Sequence, residues 1–209
     1  MPYPGPCFAV ERQMQGLLTR SFRNFVLKTQ GRAFWQQVQR SSGLDDDTAP
    51  AIAKDSPDEL ARLVTATARA CGHGRDAVLQ DLGRYVFTPP DGAFMLRQCR
   101  LSALDFAEFL HVLPELVQRM QRFLPGLPLP HLEVQQTQGS RFRLTLTAAS
   151  PDAAPFVLGA LRAVAEDFGA SVLFALCGSP AAPVIMVDVL RPGQCHTAAV
   201  VLAPLARTG

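Results

Sequence analysis

The sequence predicts an α+β fold: a helical N-terminal half followed by a strand–strand–helix–strand–strand antiparallel sheet half. Three observations carry that prediction. Apolar residues recur at helical spacing from Met14 to about Leu124. The period shifts to alternation after Pro125-Gly126, and one further helical stretch separates two pairs of alternating segments. At 209 residues, 48% hydrophobic and 18% charged, the chain is long enough to bury a sizeable core and too apolar to stay disordered.

Taken in order, residues 1–13 read as an irregular lead-in. A helix follows from Met14 to about Thr29, with Leu17, Leu18, Phe22, Phe25, Val26 and Leu27 at helical spacing, and Gly31 stops it. A short helix from about Arg32 to Arg40 carries Phe34, Trp35 and Val38 and ends near Gly43. The acidic run Asp45-Asp46-Asp47 lies in the next loop and lacks the spacing of a calcium loop. Ser56-Pro57-Asp58-Glu59 is a capping box with proline at the first helical position, launching a helix that stops at Gly72. Another helix is expected from about Arg75 to Phe87, ended by Pro89-Pro90. Ser102 and Asp105 make a second start, for a helix carrying Phe106, Phe109, Leu110 and Leu113. Pro114 is expected to interrupt it, with a separate helix from Glu115 to about Leu124. His131–Val134 and Phe142–Leu146 read as strands joined at Gln138-Gly139. Ser150-Pro151 caps a helix that ends at Gly169. Strands from about Ser171 to Leu176 and Val184 to Leu190 flank Gly178-Ser179-Pro180. The implied organisation is one domain over 14–190, helical to about 126 and sheet from 127, with a tail over 191–209. Within that tail Thr197–Leu205 is apolar enough to be an added strand or a contact with a second copy of the chain.

Composition excludes several function classes. Lys+Arg exceed Asp+Glu by only 20 to 18, and the arginines are scattered, which argues against a nucleic-acid surface. Five widely spaced cysteines without a C-x-x-C pair point to reduced thiols rather than a disulfide framework or zinc site. The start of the chain does not read as a secretory signal, and no run approaches the ~20 apolar residues of a membrane span, so a cytoplasmic protein is expected. G-x-S-x-G, H-E-x-x-H, Walker A and Rossmann glycine patterns are missing, so the chain reads as something other than an enzyme.

Several segments resemble the heme nitric-oxide/oxygen-binding (H-NOX) family, the sensor module of soluble guanylate cyclase and bacterial relatives. Met14-Gln15-Gly16-Leu17, Gly31 and Phe34-Trp35-Gln36-Gln37-Val38 look like its opening helices. Leu82-Gly83-Arg84-Tyr85-Val86-Phe87 is similar to its G-[KR]-[YM]-x-F segment. Phe109 to Val134, with Phe123-Leu124-Pro125-Gly126 and Pro130, runs like its heme-ligand helix and the turn after it. The resemblance spans about residues 14–190 and implies a heme-based sensor fold. It also implies positions for the chemistry, and those depart from the pattern. The family's axial histidine stands eight residues before the Pro-Gly, which is Val117 here, and valine has no lone pair for iron. The family's Y-x-S-x-R motif, which holds the heme propionates, corresponds to Ala148, Ser150 and Asp152. Only the serine remains, and an aspartate replaces the arginine.

The reading that follows is a sensory or regulatory domain without family-type heme, acting through a separate signalling chain or a small apolar ligand. Phe106, Phe109, Leu113 and Phe123 are candidates to fill the cleft. The cyclase offers a precedent, since one of its subunits carries a heme-free copy that serves in pairing. The alternative reading is a heme sensor with a non-standard axial ligand, for which His111 or a cysteine is the candidate. His73 and His131 read as solvated, Met120 as core packing, and Cys195-His196 as a weak metal pair; no metal site is expected.

Overall fold

A computed structural model describes residues 17–43, 57–123, 130–147, 150–179 and 182–190. Seven helices and four strands lie among these: α1 (Leu17–Gln30), α2 (Arg32–Ser42), α3 (Pro57–Cys71), α4 (Arg75–Val86), α5 (Ala93–Ser102), α6 (Phe106–Phe123), β1 (His131–Gln136), β2 (Arg141–Thr147), α7 (Ala153–Asp167), β3 (Ser171–Ser179) and β4 (Ala182–Leu190). The acidic run at 45–47, Ser56, Ala148, the Cys195-His196 pair and the C-terminal apolar run lie outside the described residues.

The first four helices share one core. Phe22 and Val26 of α1, one turn apart, are fully buried against Trp35 and Val38 of α2, Leu63 and Val64 of α3, and Val78, Leu79 and Leu82 of α4. Gly31, at φ +86°, lets the chain turn straight from α1 into α2, a conformation that L side chains resist. The predicted stops at Gly43 and Gly72 hold, both in the left-handed region, and Pro57 opens α3 as expected.

The sheet half has strand order β1-β2-β4-β3, every neighbour antiparallel. Alternation sends Leu132, Phe142, Leu144, Leu146, Ile185 and Val187 to one face, all buried, where α6 and α7 cover them. Burying Phe106, Phe109, Phe142 and Leu144 at 2% exposure or less contributes about 2–3 kcal/mol each.

Two expectations about the middle of the chain require correction. Pro114 does not interrupt: α6 runs unbroken from Phe106 to Phe123, so Glu115 is interior rather than a helix start. Proline removes one intrahelical bond and costs about 3 kcal/mol, but Phe106, Phe109, Leu110, Leu113 and Leu116 bury on both sides of it and outweigh that cost. The unpredicted helix is α5. Its apolar residues do not form one stripe, because Leu96 and Cys99 are buried while Phe94 and Leu101 are 69% and 77% exposed. Ser102 ends α5 instead of capping α6. The α6 cap is Asp105, whose Oδ1 accepts the Glu108 N–H at 2.8 Å, while the Glu108 carboxylate accepts the Leu104 N–H at 2.7 Å.

The halves meet where α4 crosses α7. Phe156 of α7 packs against the helical core, and Phe87, just past α4, packs against the sheet core. The crossing is closed by two glycines. A Cβ on Gly83 would lie 2.1 Å from the Phe156 carbonyl oxygen, and one on Gly159 1.9 Å from that of Gln80. Neither contact is sterically open to any larger residue. Arg84–Glu166 and Arg162–Gln80 bonds, at 2.8 and 2.9 Å, flank the contact. At the far end of α4, Asp91 accepts from both Lys28 and Tyr85, and these partners hold its carboxyl below the usual range.

Candidate functional site

Position 117 falls on α6 one turn beyond Leu113. Val117 is half-buried and packs against the sheet-half core, as does Met120, which fits the packing role expected for it. Phe106 and Phe109 sit on the same helix, their rings stacked at 5.8 Å. Phe168 lies 6.3 Å from the first and 5.8 Å from the second, and Phe174 meets Phe106 edge-on at 6.4 Å. These rings form a packed aromatic cluster between α6, α7 and β3. Leu113 is 8% exposed in the same core. The side chain of Phe123 lies outside the described residues.

His111 is exposed at one point of contact: its ring stands edge-on to the buried ring of Phe142 on β2, centroids 5.2 Å apart. His73 and His131 are also exposed, as their turn and strand-end positions predict. Among the described residues no group of three or more His, Cys, Asp or Glu could hold a metal ion, and no helix is long and apolar enough to cross a membrane.

Ser150 and Asp152, the two described positions that the resemblance sets against the propionate motif, lie just before α7. Ser150 is exposed. Its role in starting the helix is carried by its carbonyl oxygen, which accepts the Ala153 N–H at 3.0 Å, so the side-chain cap expected from the sequence is replaced by a backbone turn. Asp152 occupies the N-cap position without a side-chain capping bond. Its carboxylate turns instead to Arg75, the first residue of α4. The guanidinium meets it two-pronged, Nε to Oδ1 at 3.0 Å and the second nitrogen to Oδ2. The remaining Arg75 nitrogen donates to the Ala61 carbonyl at 2.9 Å and to the Thr65 hydroxyl, which itself donates to Ala61 at 2.7 Å. Arg75 is thus fixed by α3 and aimed at the start of α7. The pair is about one-third exposed on each side, so solvent screening leaves it about 1 kcal/mol of stability.

Sequence reasoning placed Asp152 but missed Arg75, 77 residues away. A signal was present. An arginine at the first turn of a helix opposes the macrodipole, an unfavourable placement that a carboxylate brought from elsewhere relieves. Beside Arg75 an open groove of about 490 Å³ runs along α3, bordered by Arg62 and Arg69 with Ser41, Ser42 and Thr65. Its lining, which also includes Ala61 and Ala66, includes neither Val117 nor Ser150.

The Haem-NO-binding (HNOB) family model matches residues 15–175. The fold is similar to that of an H-NOX protein from S. oneidensis, a mutant in the Fe(II) ligation state, at 15% identity and a TM-score of 0.71, covering 87% of this chain and 99% of that one. It is similar to the Fe(II) unliganded H-NOX protein from K. algicida at 14% identity and a TM-score of 0.69, over 85% and 97% of the two chains. A mutant of the T. tengcongensis H-NOX protein gives 12% identity and a TM-score of 0.69, over 86% and 99%. No sequence among curated proteins matches the chain.

Proposed function

Since the chain belongs to the Haem-NO-binding family, whose domains sense rather than catalyse, we propose that it is a regulatory member that holds no heme in the family's manner. In this reading it signals through a separate protein chain or a small apolar ligand. The observation that carries it is the Arg75–Asp152 pair. Where the family pattern has an arginine to bind a propionate, this chain has a carboxylate already engaged by an arginine of the helical half. A second carboxylate at that point would meet Asp152 as like charge. Val117 offers no axial donor where the family pattern has a histidine, and its packing against the sheet core supports a structural role. The residues present therefore do not fit a heme held by an axial ligand at 117 and an arginine-bound propionate at 152.

The family match over 15–175 supports 14–190 as the sensory unit, helical to about 126 and sheet beyond. The acceptor of the signal would be another protein, in a compartment we take to be the cytoplasm. The aromatic cluster of Phe106, Phe109, Phe168 and Phe174 supports an apolar interior closed by side chains rather than by a porphyrin.

Restoring the pattern tests this reading. The triple variant Val117→His, Ala148→Tyr, Asp152→Arg, expressed with heme precursor, should gain a Soret band that the native chain lacks. Val117→His alone should gain less, because Arg75 and Asp152 remain paired. A native chain that carries stoichiometric heme, with the triple variant no better, would overturn the proposal and make Phe142-contacting His111 the first ligand to mutate.

A further inference from the structure

The two edges of the sheet differ in a way that bears on assembly. The β1 edge is blunted: His131, Glu133 and Gln135 are polar or charged, and α6 packs along the strand. The β3 edge is not. Among the described residues β3 has one strand neighbour, β4, so one side of its backbone N–H and C=O groups faces outward. Its nine residues, Ser171-Val-Leu-Phe-Ala-Leu-Cys-Gly-Ser179, include no charge and no proline. Leu173 is 49% exposed and Leu176 40% exposed. A long apolar edge without a charge or a proline is a template for another strand.

We propose that two copies of the chain join through β3, antiparallel about a two-fold axis at Ala175, into one eight-stranded sheet. Side-chain parity requires the axis to pass through a residue, and full overlap of the nine-residue strands selects which one. In an antiparallel pair, residues opposite one another must share a face, and centring on Ala175 satisfies this while using all nine residues of each strand. Phe174 then lies opposite Leu176 of the second copy, Leu173 opposite Cys177, and Ser171 opposite Ser179. Both exposed leucines gain apolar partners, the smallest side chain with a Cβ sits on the axis, and no like charges meet. The contact is isologous and closes at two, because the outer edges of the joined sheet are the protected β1 strands.

The chain's own C-terminal segment is the rival occupant. Leu190 pairs with Ser171, so a strand formed by residues after 190 would enter the free edge at its Ser171 end and run parallel to β3. Parallel pairing is the slightly weaker arrangement, whereas self-pairing is antiparallel throughout.

The test is solution mass by light scattering across the micromolar range on the full chain, on the exposed-site variant Ala175→Lys, and on a chain ending at Leu190. Amide exchange is followed in parallel. Self-pairing predicts that the native mass approaches twice the protomer value as concentration rises, that Ala175→Lys stays at the protomer mass with an unchanged circular dichroism spectrum, and that the shortened chain still dimerises. Protection of β3 amides should rise with concentration in the native chain. A native chain that stays monomeric overturns the proposal, as does an Ala175→Lys chain that still pairs. Loss of pairing on shortening transfers the contact to the tail, and a dimer appearing only on shortening shows that the tail covers the edge. Should Ala175→Lys fail to fold, Leu173→Glu takes its place.

Discussion

The substitution Gly159→Ala sets two effects of opposite sign against each other. Alanine is about 1 kcal/mol better than glycine inside a helix, so α7 taken alone should be stabilised. At the crossing, however, the new methyl would stand 1.9 Å from the Gln80 carbonyl oxygen and 2.7 Å from its carbonyl carbon. The obstacle is helix backbone rather than the end of a flexible side chain. Relief therefore requires α4 and α7 to separate by about 1 Å across a closely packed contact, and overpacking of this kind costs about 1–3 kcal/mol or more. The rigid neighbour places the cost at the upper end, so the net effect is a loss of about 2 kcal/mol. Gly83→Ala meets the Phe156 carbonyl at 2.1 Å and should behave alike, with the double variant less than additive because both act on one crossing. Urea unfolding followed by circular dichroism measures this. A Gly159→Ala chain more stable than the parent by about the helix-propensity gain would refute the close crossing.

Other consequences are smaller. Thr67 is 2% exposed and its hydroxyl has no hydrogen-bond partner among the described residues, so Thr67→Val, which keeps the shape and removes the orphan, should raise stability by about 1 kcal/mol in the same assay. Asp105→Ala removes the α6 cap and should lower stability by about 1 kcal/mol, with Asp105→Asn recovering most of it. Burial pushes the Cys99 thiol from 9.0 up to about 12, with the nearby Asp167 carboxylate adding to the shift. A raised folded value means that this contribution is complete below pH 9.0 and is lost as pH rises toward about 12, so stability should fall across that window and Cys99→Ala should flatten the fall. Mapping of alkylated peptides at mildly alkaline pH should find exposed Cys177 modified in the native chain and Cys99 only after unfolding.

Much of this fold was legible because its elements carry clean periods and stops. Glycines at 31, 43, 72 and 169 end helices where the sequence placed the ends, and alternation in β2 fixed which face is buried. The errors share a cause. Pro114 looked like a break because local propensity cannot register that residues on both sides of it bury in one core. Helix α5 was hidden because three of its apolar or adjoining residues, Phe94, Leu101 and Leu104, face solvent and blur the stripe. At the site, the sequence marks Val117 and Asp152 only through a family resemblance, and the structure adds what each touches. The partner of Asp152 was not readable from spacing, since Arg75 and Asp152 come together only when α3, α4 and α7 have assembled. Its one trace in the sequence is a positive charge placed against a helix dipole.

The central claim is that this chain has exchanged a propionate-binding arginine and an axial ligand for an internal ion pair and a packed valine. Heme content of the native protein, purified after expression with heme precursor, tests it most directly. The absorption spectrum from the Soret region to the visible, with and without dithionite and nitric oxide, reads both content and ligation. The account predicts far less than one heme per chain and no band that moves with nitric oxide. One tightly held heme per chain, with a Soret band that shifts on adding nitric oxide, would contradict it.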